Sequence, residues 1–194
     1  MILSTLLLPL SMVGQALVSR FFRSGAPPLN VYVLSSIARL VQGCVSVGLV
    51  WWLRKAHATG GGLPLALNCA CFVVLALGAL ANSALFVAQM AFFNRVSDAR
   101  IGGTYLTMLN TISNLGAQWP GTVILAAKGA IEQRVVYDGY YVSFRDGFYP
   151  VACTSLLIGA TWLAIMGRRI VALQHREPSE WLAREVQPED DGDD

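Results

Sequence analysis

The charges of this chain are confined to a few short clusters, and their spacing constrains the fold more than any single motif. Between Met1 and Gly167 nearly every Lys, Arg, Asp and Glu falls in one of four groups, near Arg20, Arg54, Arg95 and Lys128. The intervals between groups are long enough to cross a bilayer, which takes about 20 predominantly apolar residues per helix. With 13% charged residues, 55% hydrophobic residues and a mean hydropathy of +0.53, the chain lies far from soluble proteins, where about a quarter of residues are charged. The expected fold is all-α, a polytopic transmembrane helical bundle of about five spans.

The spans fall at roughly 1–19, 29–53, 64–93, 101–127 and 148–167, within a membrane region 1–170. Residues 171–194 form an acidic cytoplasmic tail whose composition predicts disorder. Pro27-Pro28 and the run Gly60 to Pro64 punctuate the first two gaps, as turn residues do where helices stop and restart. Trp51-Trp52 ends the second span, at the headgroup level that amphipathic rings prefer. The third span would be about 45 Å long, so it must tilt or protrude. Met1–Ser19 lacks the basic start and small-residue cleavage site of a signal peptide, and reads as a bundle helix.

Orientation follows from the basic residues that flank the spans. Arg20, Arg23, Arg95, Arg100, Arg168, Arg169 and Arg176 share one side, and Arg54, Lys55, Lys128, Arg134 and Arg145 the other. Seven against five places the C-terminus in the cytoplasm. The net charge of +2 gives no indication of nucleic-acid binding. Cys44, Cys69, Cys71 and Cys153 all lie in apolar segments and read as small packing residues rather than disulfides or metal ligands.

Helical projection at about 100° per residue reveals polar stripes. In the first span Ser4, Ser11, Gln15 and Ser19 share a face, and in the second Tyr32, Ser35, Ser36, Arg39, Gln42 and Ser46. Asn68, Asn82 and Gln89 align with Gly78 in the third, and the fifth span shows no convincing stripe. The fourth is the clearest: Gly103, Thr107, Asn110, Thr111, Asn114, Gln118 and Gly121 share one arc. Such stripes serve either helix packing, at about 0.6 kcal/mol per hydrogen bond, or a water-lined path. Two Asn and one Gln on one arc offer more donors and acceptors than a single neighbour satisfies, which favours the path.

Arg39 stands out because it lies near the middle of its span and no Asp or Glu occurs inside any span. Even the lenient insertion scale charges about 2.5–3.5 kcal/mol for such a residue. Its counter-charge is either an acid elsewhere in a larger protein or an anionic ligand. Pro120 cannot donate to the carbonyl of Gly116, which predicts a kink and a free acceptor beside Asn114 and Gln118. Ser97 or Asp98 is placed to cap the fourth helix.

These residues resemble a known family. Val96-Ser97-Asp98, Ile101-Gly102-Gly103-Thr104-Tyr105, Leu109-Asn110-Thr111, Ser113-Asn114-Leu115-Gly116 and Trp119-Pro120 are similar to the signature of the acetyl-coenzyme A transporter family of the major facilitator superfamily. Pro28-Leu29-Asn30, Arg39-Leu40, Val50-Trp51-Trp52, Gly61-Gly62-Leu63-Pro64, Asp146-Gly147-Phe148-Tyr149 and Trp162 extend the likeness over most of residues 1–170. The resemblance implies that the five spans are the last of about twelve. It also implies a multi-pass protein of the endoplasmic reticulum membrane that carries acetyl-CoA from cytosol to lumen. The partners expected are then acetyl-CoA as substrate, the lipid bilayer and missing N-terminal helices of the same transporter. The loop Lys128–Arg145 is free of cysteine, unlike many relatives, so no lumenal disulfide is expected there.

On this reading Arg39 meets phosphate while Thr107, Asn110, Asn114 and Gln118 meet the amide-rich arm of the substrate. Asp98, Gly102, Gly103, Gly116, Trp119 and Pro120 are assigned to structure or gating. No catalytic residue, metal or cofactor is expected, and the chain is read as a transporter part rather than an enzyme. The alternatives are a membrane-embedded acetyltransferase, which would want a base or nucleophile near the membrane face, and a non-transporting truncated product.

Overall fold

Pro28 opens the second helix at the position where its missing N–H is no loss. The next orphan donor, Leu29 N–H, is buried and donates to Gln174 Oε1 at 3.0 Å. This contact appears in a computed structural model that describes residues 9, 12–20, 25–58, 65–98, 100–137 and 147–181, excluding the side chains of 132–137, 178 and 179. Its elements are α1 (12–20), α2 (Pro28–Ala58), α3 (Leu65–Val96), α4 (Gly102–Tyr137), α5 (Phe148–Leu173) and a short 3-10 turn, Pro178–Trp181. No strand occurs among the described residues.

Gln174 is the C-cap of α5, so its amide ties the end of α5 to the start of α2. At the opposite ends Arg54 lies over the rings of Phe148 and Tyr149, 5.8 and 5.2 Å from their centroids. The two helices therefore run antiparallel along their whole common length. Between those ends glycines let leucines in, as small residues do where membrane helices approach closely. A Cβ at Gly43 would lie 2.7 Å from Leu156 Cδ2, and one at Gly159 would lie 3.1 Å from Leu40 Cδ2. Gly78 of α3 accommodates the amide of Gln42, and Gly14 of α1 accommodates Leu80.

The packed unit is thus α2 with α3 on one side and α5 on the other, while α4 touches α3 and α5 along much shorter seams. Buried hydrophobics among the described residues are limited to Leu29, Leu67, Ala88 and Val96. Large apolar side chains such as Leu34, Phe86, Leu157 and Ile165 face outward, because lipid tails are as apolar as they are and nothing drives them inside.

By length and composition α2, α3 and α5 can each cross a membrane. This is a multi-pass arrangement within an all-helical bundle. Of the five spans expected, the first lies partly outside the described residues. The fourth forms α4, whose amides and hydroxyls lower its hydropathy and which is not among the three.

Helix ends differ from the spans read in the sequence. α2 continues to Ala58 and carries His57 in its last turn, α3 runs to Val96, and α4 continues past residue 127 to Tyr137. The tail 171–194 is ordered at its beginning: α5 reaches Leu173, and Trp181 sets its ring edge-to-face on Phe92 at 6.0 Å. An aromatic contact back to the end of α3 supplies the burial that composition alone did not predict. Residues 182–194 lie outside the described residues.

Candidate functional site

Tyr32, Ser36, Arg39 and Gly43 recur at i, i+4, i+7 and i+11 and so share one face of α2. Ser155, Gly159 and Trp162 recur at i, i+4 and i+7 on α5. The antiparallel packing brings these two faces together, with Leu85 of α3 beside them, around a cleft of about 400 Å³. Its serine hydroxyl protons are already committed: Ser36 Oγ donates to Tyr32 C=O and Ser155 Oγ to Val151 C=O, both at 2.8 Å. Gln42 Nε2 donates to Ser46 Oγ at 3.1 Å. The donors left without a partner among the described residues are the Arg39 guanidinium, the Tyr32 hydroxyl and the Trp162 indole N–H. Three donor-bearing residues lining one cleft, one of them cationic, suit an anionic or acceptor-rich ligand.

Arg39 is exposed within the chain, and its depth can be gauged from the aromatic belt. Trp51 lies twelve positions further along α2, which is about 18 Å of helix rise, against about 15 Å for half a hydrocarbon core. With Trp51 at the headgroups, Arg39 sits close to the midplane.

The second group of candidates is placed elsewhere. No α4 residue lines the Arg39 cleft among the described residues, so Thr107, Asn110, Asn114 and Gln118 do not share it with Arg39. Thr107 Oγ1 donates to Gly103 C=O at 2.7 Å and Thr111 Oγ1 to Thr107 C=O at 2.8 Å, which spends the hydroxyl protons on the helix itself. A shallow depression of about 490 Å³ runs along this face, from Gly103 to Ile112. Asn110 is half-buried, whereas Asn114 and Gln118 are exposed, and none of the three has a hydrogen-bond partner among the described residues. The link from α4 to α3 is made instead by Gln89 Nε2, which donates to Ser113 Oγ.

α4 runs without interruption through Pro120, with Gly116, Gln118 and Trp119 all exposed. The capping expected of Ser97 or Asp98 is made in the turn before the helix. Asp98 is buried, its Oδ1 accepts the Arg100 N–H at 2.9 Å, and its Oδ2 lies 3.6 Å from the Arg100 guanidinium. Ser97 Oγ donates to Gly102 C=O at 3.2 Å. The carboxylate reaches two residues ahead, as Asx turns do, and so orders the α3–α4 connection rather than the first turn of α4. Gly102 is half-buried and Gly103 exposed.

The contribution of α5 to the cleft is what sequence reasoning missed. Ser155, Gly159 and Trp162 carry the required helical spacing, but a serine, a glycine and an indole do not register as a polar stripe. The four cysteines are free, with Cys44, Cys69 and Cys153 exposed and Cys71 half-buried.

Residues 29–144, more than half of the chain, match the family described as Acetyl-coenzyme A transporter 1. The chain belongs to this family. The match contains Arg39 and the whole α4 stripe, while the α5 side of the cleft falls beyond it. Among curated relatives, the uncharacterized membrane protein YBR220C of Saccharomyces cerevisiae is 25% identical over 191 residues, covering 87% of this chain and 33% of that protein. The uncharacterized protein C21B10.09 of Schizosaccharomyces pombe is 48% identical over 99 residues, covering 50% of this chain and 18% of that protein. The chain thus spans a third or less of the length of these relatives. No solved structure gives a significant match.

Proposed function

We propose that this chain is the C-terminal part of a membrane transporter that moves acetyl-CoA from the cytosol into the endoplasmic reticulum lumen, with its own C-terminus in the cytoplasm. The observation that carries this reading is the cleft lined by Arg39, Tyr32 and Trp162, whose donors have no partner among the described residues, in a chain of the acetyl-coenzyme A transporter 1 family.

A CoA ester brings several phosphate charges and an amide-rich arm. Arg39 offers phosphate the bidentate geometry of a guanidinium, and the Trp162 and Tyr32 rings offer faces for a base to stack on. The amides of Asn110, Asn114 and Gln118 meet the polar arm at another stage of its path. Exposed amides on a membrane helix need partners in lipid, so the amide face of α4 is assigned to the lining of that path, and the exposed apolar residues Met108, Ile112 and Trp119 to contact with further helices of a larger bundle of the major facilitator type. In such bundles sites form at the midplane between repeats.

The test is uptake of radiolabelled acetyl-CoA into vesicles carrying the protein together with the segments its relatives possess. Arg39→Ala should lower uptake roughly ten- to hundredfold while leaving the protein in the membrane; unchanged uptake would sink the assignment. Release of free CoA by purified protein in the presence of an acceptor would favour an acetyltransferase instead.

A further inference from the structure

Two depressions flank the seam between α2 and α5, separated by Leu40 and Leu163, which line both. The polar one holds Arg39. The other, about 600 Å³, is walled by Val33 and Ile37 of α2 and by Ala160, Ala164 and Gly167 of α5, and Arg168 is the single charged residue among its described lining. Ala160, Ala164 and Gly167 recur at i, i+4 and i+7, so their small side chains hollow one stripe of α5. Arg168 is exposed and has no ion pair among the described residues.

The levels of these residues in the membrane follow from the packing. Gly159 faces Leu40, and Gly167 faces Val33, whose Cγ1 would lie 3.9 Å from a Cβ at that glycine. Leu40 is at the level of Arg39, near the midplane. From Ala160 to Arg168 the groove climbs about 12 Å of helix rise, nearly the ~15 Å thickness of one leaflet's hydrocarbon, and Val171 lines it about one turn further on. An apolar groove one leaflet deep with a cation at its headgroup end matches the shape and charge of a phospholipid.

We propose that this groove holds one anionic phospholipid, its phosphate on the Arg168 guanidinium and an acyl chain along Ile37, Ala160 and Ala164. A transmembrane helix laid in the same groove would fill the apolar part but would make no use of the cation, whereas a phospholipid matches both. A basic pocket between membrane helices is a recurrent setting for anionic headgroups.

The test uses the full chain purified in detergent, offered phosphatidic acid and phosphatidylcholine of the same acyl composition and examined by native mass spectrometry. One phosphatidic acid per chain should be retained in preference to phosphatidylcholine. Arg168→Gln should lower its retention about fivefold, the ratio expected for one interfacial cation. Arg169→Gln removes the same charge one residue away, outside the groove lining, and should leave retention unchanged. Ala164→Phe should displace the lipid while Arg168 remains, and glycerol phosphate without acyl chains should not compete. Equal effects of the two arginine variants, equal retention of phosphatidylcholine, or no retained lipid would each overturn the proposal.

Discussion

Replacing Arg39 with leucine should move stability and function in opposite directions. Arg39 lies about 18 Å of helix rise from the Trp51 belt, and thus near the membrane centre. At that depth an arginine costs about 2.5–3.5 kcal/mol, and a leucine contributes about −0.3 to −0.6. The exchange should therefore favour insertion of α2 by roughly 3–4 kcal/mol. A glycosylation-reporter insertion assay on residues 28–58 measures this directly, and the thermal midpoint of the whole chain in detergent should rise with it. On the proposed function the same exchange removes a charge-assisted hydrogen bond to the substrate phosphate, about 1.5–3 kcal/mol, so acetyl-CoA uptake by the larger transporter should fall roughly ten- to hundredfold. A lower thermal midpoint for Arg39→Leu would refute the reasoning. It would show that the guanidinium is held by a structural counter-charge and is not reserved for a ligand.

Gln174→Leu leaves the buried Leu29 N–H without an acceptor and should cost about 1–3 kcal/mol, read as earlier thermal unfolding and faster amide exchange at the start of α2. Gly147→Ala should destabilise by about 1–3 kcal/mol, because its Cβ would lie 2.8 Å from the backbone carbonyl of Lys128, which cannot swing aside. Gly48→Ala, with nothing within 4 Å of the new Cβ, should be neutral or slightly stabilising in the same unfolding measurement. Asn114→Leu with Gln118→Leu should leave the folding of the isolated chain unchanged, since neither amide has a partner among the described residues. On the proposed function, the pair should nevertheless reduce acetyl-CoA uptake by the larger transporter.

What was legible beforehand follows from what is expensive. Charges cannot enter hydrocarbon cheaply, so their spacing marked the helical segments and singled out Arg39. Outside the hydrocarbon that penalty vanishes and a helix can carry its charges, which is why α2 continues over Arg54 and Lys55 to Ala58 and α4 over Lys128 to Tyr137. The α4 stripe was readable as a period, but the partner of each side chain was not. Thr107 and Thr111 turn back on their own helix, and Arg39 finds its neighbours on α5, through a pairing fixed by Gly43, Gly159 and the Gln174 amide. The α2–α5 contacts join residues more than a hundred positions apart, where periodicity carries no information.

The short seams of α4 also bear on how the protein loses its structure. The α2–α5 pair is clamped at both ends, whereas α4 is held to α3 by the Gln89–Ser113 bond and carries most of residues 114–127 exposed. Such a helix constitutes its own cooperative opening unit, with a free energy well below that of global unfolding. Hydrogen exchange should accordingly separate the chain into two classes of amide, those of α4 exchanging as a block before those of α2 and α5. Among α2, α3, α4 and α5, the helix that carries the amide stripe is then also the one most easily displaced.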